Sequence, residues 1–330
     1  MSEPLGELPM VSVVIPALDE ERHIADCLDS VVAQTYPHER MEVIVADGGS
    51  TDATREIVAG YAARHPFIRL IDNRDRIQAA GLNRAIESSR GDVVARLDAH
   101  AAWPPGHLSR CVRLLEETGA DNVGGTMSAV GDTPLADAIG CATASPFGVG
   151  GARYRYATRQ QDVDTVWLGC MRRSALERAG LYDESLAVHE DYELNHRIRR
   201  SGGRVVFSPE LPVTYWPREA WGALARQYFR YGAAKARVAR GDAGVLRPHH
   251  LVPPLAVALA PVAMLAGLCR PRRRRTVLLL GSGYAAACGV AGALASRGRP
   301  PAVRRRVPFV FPVVHLSWGA GFWAGLLRRQ

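Results

Sequence analysis

Short apolar runs alternate with longer segments of helical period along the first third of the chain. The apolar runs, which predict strands, cover residues 11–15, 43–46, 68–71 and 93–97. Helices are predicted over residues 20–34 and 78–89 and around Ile57, Val58 and Tyr61, because apolar residues there recur on one face. This alternation is typical of an α/β domain with a largely parallel sheet.

The same pattern continues beyond residue 97. Leu108, Val112 and Leu115 mark a further helix, and residues 123–130 form a further extended stretch. No internal repeat is visible. We therefore place one α/β domain at residues 10–245, after a short tail at residues 1–9.

The pattern changes at residue 246, where a membrane-associated region is predicted to begin. Its three segments without a charged side chain, each close to the ~20 residues that span a bilayer, are residues 251–269, 276–296 and 307–327. Three simple spans would place the arginines at 270–275 on the far side, against the positive-inside rule. Pro253, Pro254 and Pro261 make the first segment the best candidate for a re-entrant or in-plane helix. The alternative is a buried helical domain.

The charge of the chain is unevenly distributed. The 330 residues have a net charge of +8, but the last 61 contain twelve arginines and no acidic residue. The first 269 residues are thus slightly acidic, which argues against a nucleic-acid-binding surface. Arginine-rich junctions suit anionic lipid head groups and a polyprenyl diphosphate carrier.

Six widely spaced cysteines form no C-x-x-C pair, and we expect them to be reduced, buried, small apolar residues. Residues 1–9 are polar and proline-rich, so we expect no signal peptide and a cytoplasmic α/β domain.

Polar clusters follow three of the predicted strands, at residues 16–20, 47–52 and 98–100. In an open α/β sheet the ligand lies beyond the carboxyl ends of the strands, so these clusters should converge. The sequence contains neither a G-x-G-x-x-G after its first strand nor a P-loop, which excludes those two modes of nucleotide binding.

The cluster at Asp98-Ala-His100 has the residue types of a metal site. A carboxylate and a second ligand two residues apart, at the end of a buried strand, can hold a divalent cation against a diphosphate. The alternative is that Asp98 only caps a turn or a following helix.

Five segments in order resemble the motifs of the inverting family 2 glycosyltransferases, which have the GT-A nucleotide-diphospho-sugar transferase fold. Residues 11–21 read VSVVIPALDEE and resemble the opening strand and loop of that family. Residues 47–52 read DGGSTD and resemble its D-D-G-S-T-D, with Gly48 replacing an Asp. Asp98-Ala-His100 stands at its D-x-D, Glu190-Asp191 at its E-D, and QYFRY at 227–231 is similar to Q-x-x-R-W. The D-A-H form and the following Trp103-Pro-Pro most resemble the bacterial exopolysaccharide branch, of the succinoglycan type.

The resemblance implies a set of nucleotide-binding residues. In the family the first loop and the carboxylate after the second strand hold the base. The residues of this chain implied in nucleotide or phosphate binding are Pro16, Ala17, Asp19, Asp47, Arg76, Asp98, Gln227 and Arg230. As alternatives, Asp47 is a turn or N-cap residue, and Gln227 and Arg230 belong to a plain basic helix face.

The resemblance also implies Mg²⁺ or Mn²⁺ as cofactor, with Asp98 as a ligand. His100 departs from the family pattern. It ligates Mn²⁺ together with Asp98, or faces a phosphate as an imidazolium, or only makes a hydrogen bond in the loop. The sequence leaves these alternatives open.

Asp191 is implied as the general base that removes the proton of the acceptor hydroxyl, so that one displacement inverts the anomeric centre. Glu190, at the substrate site, should raise the pKa of Asp191 by like-charge repulsion. Trp167 and Gly169 are implied in the wall around the sugar. The alternatives are an acidic first turn of a helix for the two carboxylates and core packing for Trp167.

These implications define the expected function. The chain should transfer a hexose from a nucleotide diphosphate sugar, with UDP favoured, to a lipid-linked saccharide at the cytoplasmic face of a bacterial membrane. Polysaccharide-assembly proteins are possible partners, and membrane lipids should contact the C-terminal region. The alternatives are transfer to a polyprenyl monophosphate, or a catalytically silent nucleotide-sugar-binding subunit of an assembly complex. Gly48 and His100 favour the silent subunit, whereas Asp98 together with Asp191 favours an enzyme.

Overall fold

The computed structural model describes residues 8–186, 188–242, 244 and 246–327, with the side chains of residues 268, 269, 271 and 272 excepted. The prediction of a buried Cys269 therefore falls outside the described side chains, as does most of the predicted tail at 1–9. The other five cysteines are buried and free of disulfides, as expected.

The chain forms two compact units. The first contains the described residues up to Ser128 together with Ala157–Tyr215, and the second contains Ala129–Tyr156 and the described residues from Trp216 onward. The α/β domain predicted at 10–245 thus contributes residues 129–156 and 216–245 to the second unit.

A mixed eight-stranded sheet forms the centre of the first unit. The strands of the chain are β1 Val11–Ala17, β2 Met41–Asp47, β3 Ile68–Asp72, β4 Val93–Arg96, β5 Ala101–Ala102, β6 Asn122–Gly124, β7 Met127–Ala129, β8 Gln161–Asp162, β9 Cys170–Arg172, β10 Val205–Phe207 and β11 Val213–Tyr215. The large sheet has the order β3-β2-β1-β4-β9-β6-β10-β8, and β5-β11-β7 form a small second sheet. Strands β3, β2, β1 and β4 are parallel, whereas β9 is antiparallel to both of its neighbours.

Helices cover this sheet in the first unit and form nearly all of the second. In the first unit they are α1 Ile24–Val32, α2 Thr54–Arg64, α3 Gln78–Glu87, α4 His107–Thr118, α7 Arg173–Ala179 and α8 Glu190–Arg200. In the second unit they are α5 Pro134–Thr143, α6 Pro146–Val149, α9 Trp221–Gly241, α10 Pro248–Cys269, α11 Pro271–Ala295, α12 Pro301–Arg304 and α13 Val307–Leu327.

Two expectations from periodicity need correction. The helix predicted from residue 20 begins at Ile24, because the backbone of residues 19–21 binds side chains of residues 50–54 instead. The extended stretch predicted at 123–130 is two short strands separated at Gly125. A Cβ at Gly125 would overlap the backbone of Leu211, so a glycine is needed where the chain turns from one sheet to the other.

The second unit has an apolar core of its own. Its members include Leu224 and Tyr228 of α9 and Val307, Phe311 and Val314 of α13. Among the described residues, three helices are long and apolar enough to cross a membrane, at Pro248–Gly267, Arg273–Ala295 and Pro301–Leu327. These match the three predicted hydrophobic segments.

Candidate active site

The carboxyl ends of β1, β2 and β3 meet at one edge of the sheet. The parallel register aligns Ala17 with Asp47, and Asp47 with Asp72. Pro16 and Ala17 are the last two residues of β1. The polar clusters that follow these strands are therefore neighbours, as the α/β pattern requires.

Hydrogen bonds join the first loop to the second. The Asp19 carboxylate accepts the Thr51 N–H at 2.8 Å, and the Asp19 N–H donates to Ser50 Oγ at 2.9 Å. The Glu21 N–H donates to Asp52 at 3.0 Å. This bonding fixes the pair of loops that the sequence implicates in nucleotide binding.

Asp47 is buried at the centre of the second loop. Its carboxylate accepts hydrogen bonds from Ser50 Oγ at 2.5 Å, from Gly49 N–H at 2.9 Å and from Arg55 at 2.7 Å. Burial alone would raise the pKa of Asp47, but these hydrogen bonds outweigh it and hold the pKa below its ordinary value. Arg55 also pairs with Asp72 at 3.0 Å, so one exposed guanidinium links the ends of β2 and β3.

A buried ion-pair network connects β4 to α8. Arg96, the last residue of β4, contacts Asp98 through Nε at 2.9 Å and Glu190 through Nη1 at 2.9 Å. All three side chains are almost completely buried. The guanidinium also lies over the ring of Tyr182, 5.8 Å from its centroid. The predicted metal ligand and the predicted E-D motif, 92 residues apart in sequence, thus share one cation.

Asp191 follows Glu190 in the first turn of α8. Burial, and next the negative charge of Glu190, raise the pKa of Asp191 to about 7, while Arg96 opposes the increase. The carboxylate accepts its neighbour's N–H, from Tyr192, at 2.6 Å. A carboxyl group that titrates near neutral pH is suited to accept a proton from a hydroxyl group.

The predicted metal ligands lie on either side of a short turn. Asp98 Oδ1 accepts from Arg96 and from Gln78 Nε2 at 3.3 Å. His100 Nδ1 lies 3.0 Å from Glu20 Oε1, and its ring centroid lies 6.0 Å from that of Tyr215. No three metal-ligating side chains come together within the described residues.

This donor set fits a metal ion that arrives with a diphosphate. Mg²⁺ is usually held by one or two carboxylates and completes its coordination with phosphate and water oxygens. Asp98 supplies such a carboxylate, and both hydrogen bonds that it accepts from described residues end on Oδ1, which leaves Oδ2 for a cation.

The predicted sugar wall is tightly packed. Trp167 is buried edge to face against Tyr215, with ring centroids 5.6 Å apart. A Cβ at Gly169 would overlap the Asn122 side chain, which donates to Asn195 of α8 at 2.6 Å. Gly169 therefore has a packing role that places α8 against the sheet.

Backbone conformation marks the same region. Four non-glycine residues of the described chain have a left-handed φ, and each lies at or beside a predicted site residue: Asp19, Arg76, Leu168 and His189. Such conformations cost about 1–3 kcal/mol each and cluster at functional sites. Arg76 itself is exposed after β3, and its N–H donates to Asn73.

Gln227 and Arg230, the remaining predicted nucleotide contacts, belong to α9 in the second unit. The Gln227 amide donates to the Tyr231 hydroxyl at 2.9 Å, which links two positions of the QYFRY segment. The Arg230 side chain is exposed.

Sequence reasoning missed three residues of this arrangement: Arg96, Arg55 and Glu20. Arg96 left a signal, because an arginine inside the apolar run at 93–97 must be paired when the strand is buried. Arg55 left none, since an exposed charge at a helix start is common, and Glu20 lies in the polar cluster at 16–20 without a signal that distinguishes it from its neighbours.

The fold and this edge of the sheet define a class of protein, the GT-A type of nucleotide-sugar transferase, as predicted. A mannosyltransferase from Pyrobaculum calidifontis, solved in complex with GDP-Man and Mn²⁺, has a similar fold, with a TM-score of 0.63 and 20% identity over 97% of this chain and 88% of that one. The chain belongs to glycosyl transferase family 2, whose model matches residues 12–178. The family prediction is thereby confirmed.

Curated relatives extend the similarity beyond the family model. The succinoglycan biosynthesis protein ExoA of Rhizobium meliloti is 33% identical over 96% of both chains. A Methanococcus voltae enzyme, named as a dolichyl N-acetyl-alpha-D-glucosaminyl phosphate 3-beta-D-2,3-diacetamido-2,3-dideoxy-beta-D-glucuronosyltransferase, is 26% identical over 70% of this chain and 74% of its own. The similarity to ExoA therefore includes the apolar helices, and this glycosyltransferase is membrane-associated.

Proposed function

We propose that this chain is a metal-dependent, inverting hexosyltransferase of bacterial polysaccharide biosynthesis. It moves a hexose from a nucleotide diphosphate sugar, with UDP as the nucleotide, to a lipid-linked saccharide. The observation that carries this proposal is Asp191, a carboxyl group with a pKa of about 7, next to a network that ends on Asp98. The names of ExoA and of the dolichyl-linked enzyme support the pathway and the class of acceptor.

Asp191 acts as the general base. Its carboxylate takes the proton of the acceptor hydroxyl while that oxygen forms a bond to the anomeric carbon. The bond from the anomeric carbon to the diphosphate oxygen breaks, and the nucleoside diphosphate leaves with the bonding electrons. Because attack and departure occur on opposite faces, the anomeric centre inverts.

Asp98 and His100 face the diphosphate. A bound Mg²⁺ or Mn²⁺ would neutralise charge on the leaving diphosphate. Asp98, oriented by Arg96, would be its carboxylate ligand. His100 lies beside Glu20 and can supply a further contact in this region.

The loops after β1 and β2 hold the nucleotide. Asp19 and Asp47 fix the shape of these loops through their own hydrogen bonds. Pro16 and Ala17 end β1 beside them, and Arg76 follows β3. We assign Gln227 and Arg230 to the nucleotide from the motif resemblance alone. Trp167, Gly169 and Glu190 shape the sugar site.

The catalytic domain, residues 10–245, works on the cytoplasmic face of the bacterial membrane, to which residues 246–330 attach it. The acidic balance of the first 269 residues and the arginines of the final 61 support this division.

Nucleoside diphosphate release from detergent-solubilised protein tests the proposal. UDP-, GDP- and dTDP-sugars are supplied with Mg²⁺ or Mn²⁺, with and without a lipid-linked saccharide extract. We expect release only with a UDP-sugar, a metal ion and the extract together. Equal release with a polyprenyl monophosphate as the sole acceptor would show that the monophosphate, and not a lipid-linked saccharide, accepts the sugar. Binding of nucleotide sugars without release in any combination would favour a silent subunit and contradict the proposal.

A further inference from the structure

The last apolar helix, α13, lies side by side with α9. A Cβ at Gly321 or Gly325 of α13 would overlap the backbone of Phe229 or Ala233 of α9. In the other direction, a Cβ at Gly232 of α9 would overlap the backbone of α13. The contacts advance in the same direction along both chains, so the two helices run parallel with their backbones almost touching.

This contact covers nearly the whole length of both helices. Leu224 and Tyr228, near the start of α9, share one apolar cluster with Phe311 and Val314, near the start of α13. At the other end, the Arg240 guanidinium donates to the Gly325 carbonyl. The two helices therefore occupy the same depth relative to any membrane.

α9 is too highly charged to lie in hydrocarbon. Its exposed cations are spread along its length and are Arg226, Arg230, Arg237 and Arg240. At 21 residues, or about 31 Å, a spanning α9 would place Arg230 and Lys235 near the bilayer centre, where a charged side chain is most costly. Lys235 is buried within the protein. A membrane-surface position satisfies α9, with its arginines in the head-group layer.

α10 and α11 are much less buried within the protein than α13. Only 11% of the most apolar window in each is buried within the protein, against 39% for α13. Large apolar side chains are exposed around both helices, including Leu255 and Leu259 of α10 and Leu279 and Leu280 of α11. A Cβ at Gly267 would lie 3.2 Å from Val277, so the two helices pair next to their connection. A helix that is apolar on all sides is suited to a membrane interior.

We infer that only α10 and α11 cross the membrane, as a helical hairpin, and that α13 lies on the membrane surface beside α9. The end of the chain then stays on the same side as α9, and only the turn between α10 and α11 is exported. Two crossings export the arginines at 270–275 and retain those at 297–306 and 328–329, whereas three crossings would also export the last pair. Both arrangements export the cluster at 270–275 against the positive-inside rule, and two crossings depart from the rule less than three. This inference rests on packing and charge and not on the proposed reaction.

Protease accessibility of short tags in sealed vesicles tests the topology in the full-length chain. One tag precedes Met1, one follows Gln330, and one is inserted after Arg270, each in a separate protein. We expect the two terminal tags to be cleaved in vesicles of the same orientation, and the Arg270 tag only in vesicles of the opposite orientation. Cleavage of the two terminal tags in opposite orientations would overturn the position of α13. Cleavage of all three in one orientation would overturn the hairpin crossing.

A matched pair of lysine substitutions gives an independent measurement. Leu259 in α10 and Leu316 in α13 are 61% and 52% exposed and lie near the middle of their helices. We expect Leu259→Lys to reduce the amount of membrane-integrated protein at least tenfold, because its charge falls in the bilayer centre. Leu316→Lys should leave it within twofold of the unsubstituted chain, since a surface lysine reaches the head groups. An equal loss in both variants would contradict the inference, whatever the transferase activity.

Discussion

Arg96 connects the two halves of the proposed reaction site. Its guanidinium offers several donors in a fixed plane, which lets it bind Asp98 and Glu190 at the same time, at 2.9 Å each. A lysine ammonium is a point charge and does not reproduce this geometry. One side chain therefore links Asp98, on the proposed diphosphate side of the site, to Glu190, on the proposed acceptor side.

Replacement of Arg96 should be costly to stability. Arg96→Leu leaves two buried carboxylates without their cation, so we expect the free energy of unfolding to fall by about 3–5 kcal/mol. Arg84→Leu is the control, because Arg84 and its partner Asp75 are both well exposed, and its cost should be at most about 1 kcal/mol. Urea denaturation in detergent measures both. Similar values for the two variants would show that the Arg96 network contributes no more than a surface ion pair.

The pKa of Asp191 predicts the pH dependence of transfer. A base works only when ionised, and burial and Glu190 raise the pKa of Asp191 to about 7. We expect kcat/KM to be constant above pH 7 and to fall about tenfold per pH unit below it. Initial rates at pH 5–9 measure this profile, with nucleotide-sugar binding at each pH as the control for folding. A flat profile down to pH 5 would contradict the assignment.

At the scale of elements, the sequence predicts the four parallel strands of the sheet. It does not predict β9, the antiparallel strand between β4 and β6. The runs at 11–15, 43–46, 68–71 and 93–97 all became strands. β1, β2 and β4 are buried on both faces, whereas β3, at the edge of the sheet, is only partly buried. β9 has three residues and pairs with β4 and β6, about 80 and 50 residues away in sequence. The periodicity of apolar residues predicts only local structure, and it does not predict pairing between strands so far apart in sequence. The position of α8 against β4 therefore had to come from the structure.

The same limit applies to the site. Motif resemblance indicated Asp47, Asp98 and Asp191 one by one, since each ends a strand or begins a helix. It did not predict that Arg96 joins two of these regions, because an ion pair between β4 and α8 depends on how β9 places α8. It also left Trp167 open between sugar stacking and core packing, and its ring is buried against Tyr215.

Glycine substitutions test the packing that positions α8. Gly169→Ala brings a methyl group into the Asn122 side chain, so we expect a loss of about 1–3 kcal/mol from overpacking. Gly60→Ala is the matched control, since nothing lies within 4 Å of its position in α2, and it should be neutral or stabilising by up to about 1 kcal/mol. Thermal unfolding distinguishes them. An unchanged unfolding temperature in Gly169→Ala would mean that Asn122 and α8 can shift to accommodate the methyl group without loss of stability.

At the scale of the whole molecule, charge and apolarity are segregated along the chain. The net charge of +8 arises from arginines that flank the apolar helices, whereas the α/β region is slightly acidic. This segregation is what the proposed membrane attachment requires, because clustered arginines beside apolar helices attract anionic lipids. The second unit also draws in residues 129–156, which a linear division at residue 245 does not suggest.

The central claim, that this glycosyltransferase uses Asp191 as its base, is tested most directly by one substitution. Asp191→Asn keeps the size of the side chain but cannot accept the proton, so transfer should fall at least a hundredfold, about the lower limit for a general base. Calorimetric binding of the donor sugar should change less than threefold. Asp183→Asn, an exposed position ahead of the same helix, should leave both unchanged.

The measurement is the initial rate of sugar transfer for these two variants and the unsubstituted chain, under identical metal and acceptor conditions. Loss of transfer with retained donor binding in Asp191→Asn alone is the predicted result. Transfer by Asp191→Asn within a few-fold of the unsubstituted rate would contradict the account, because another group would then remove the proton.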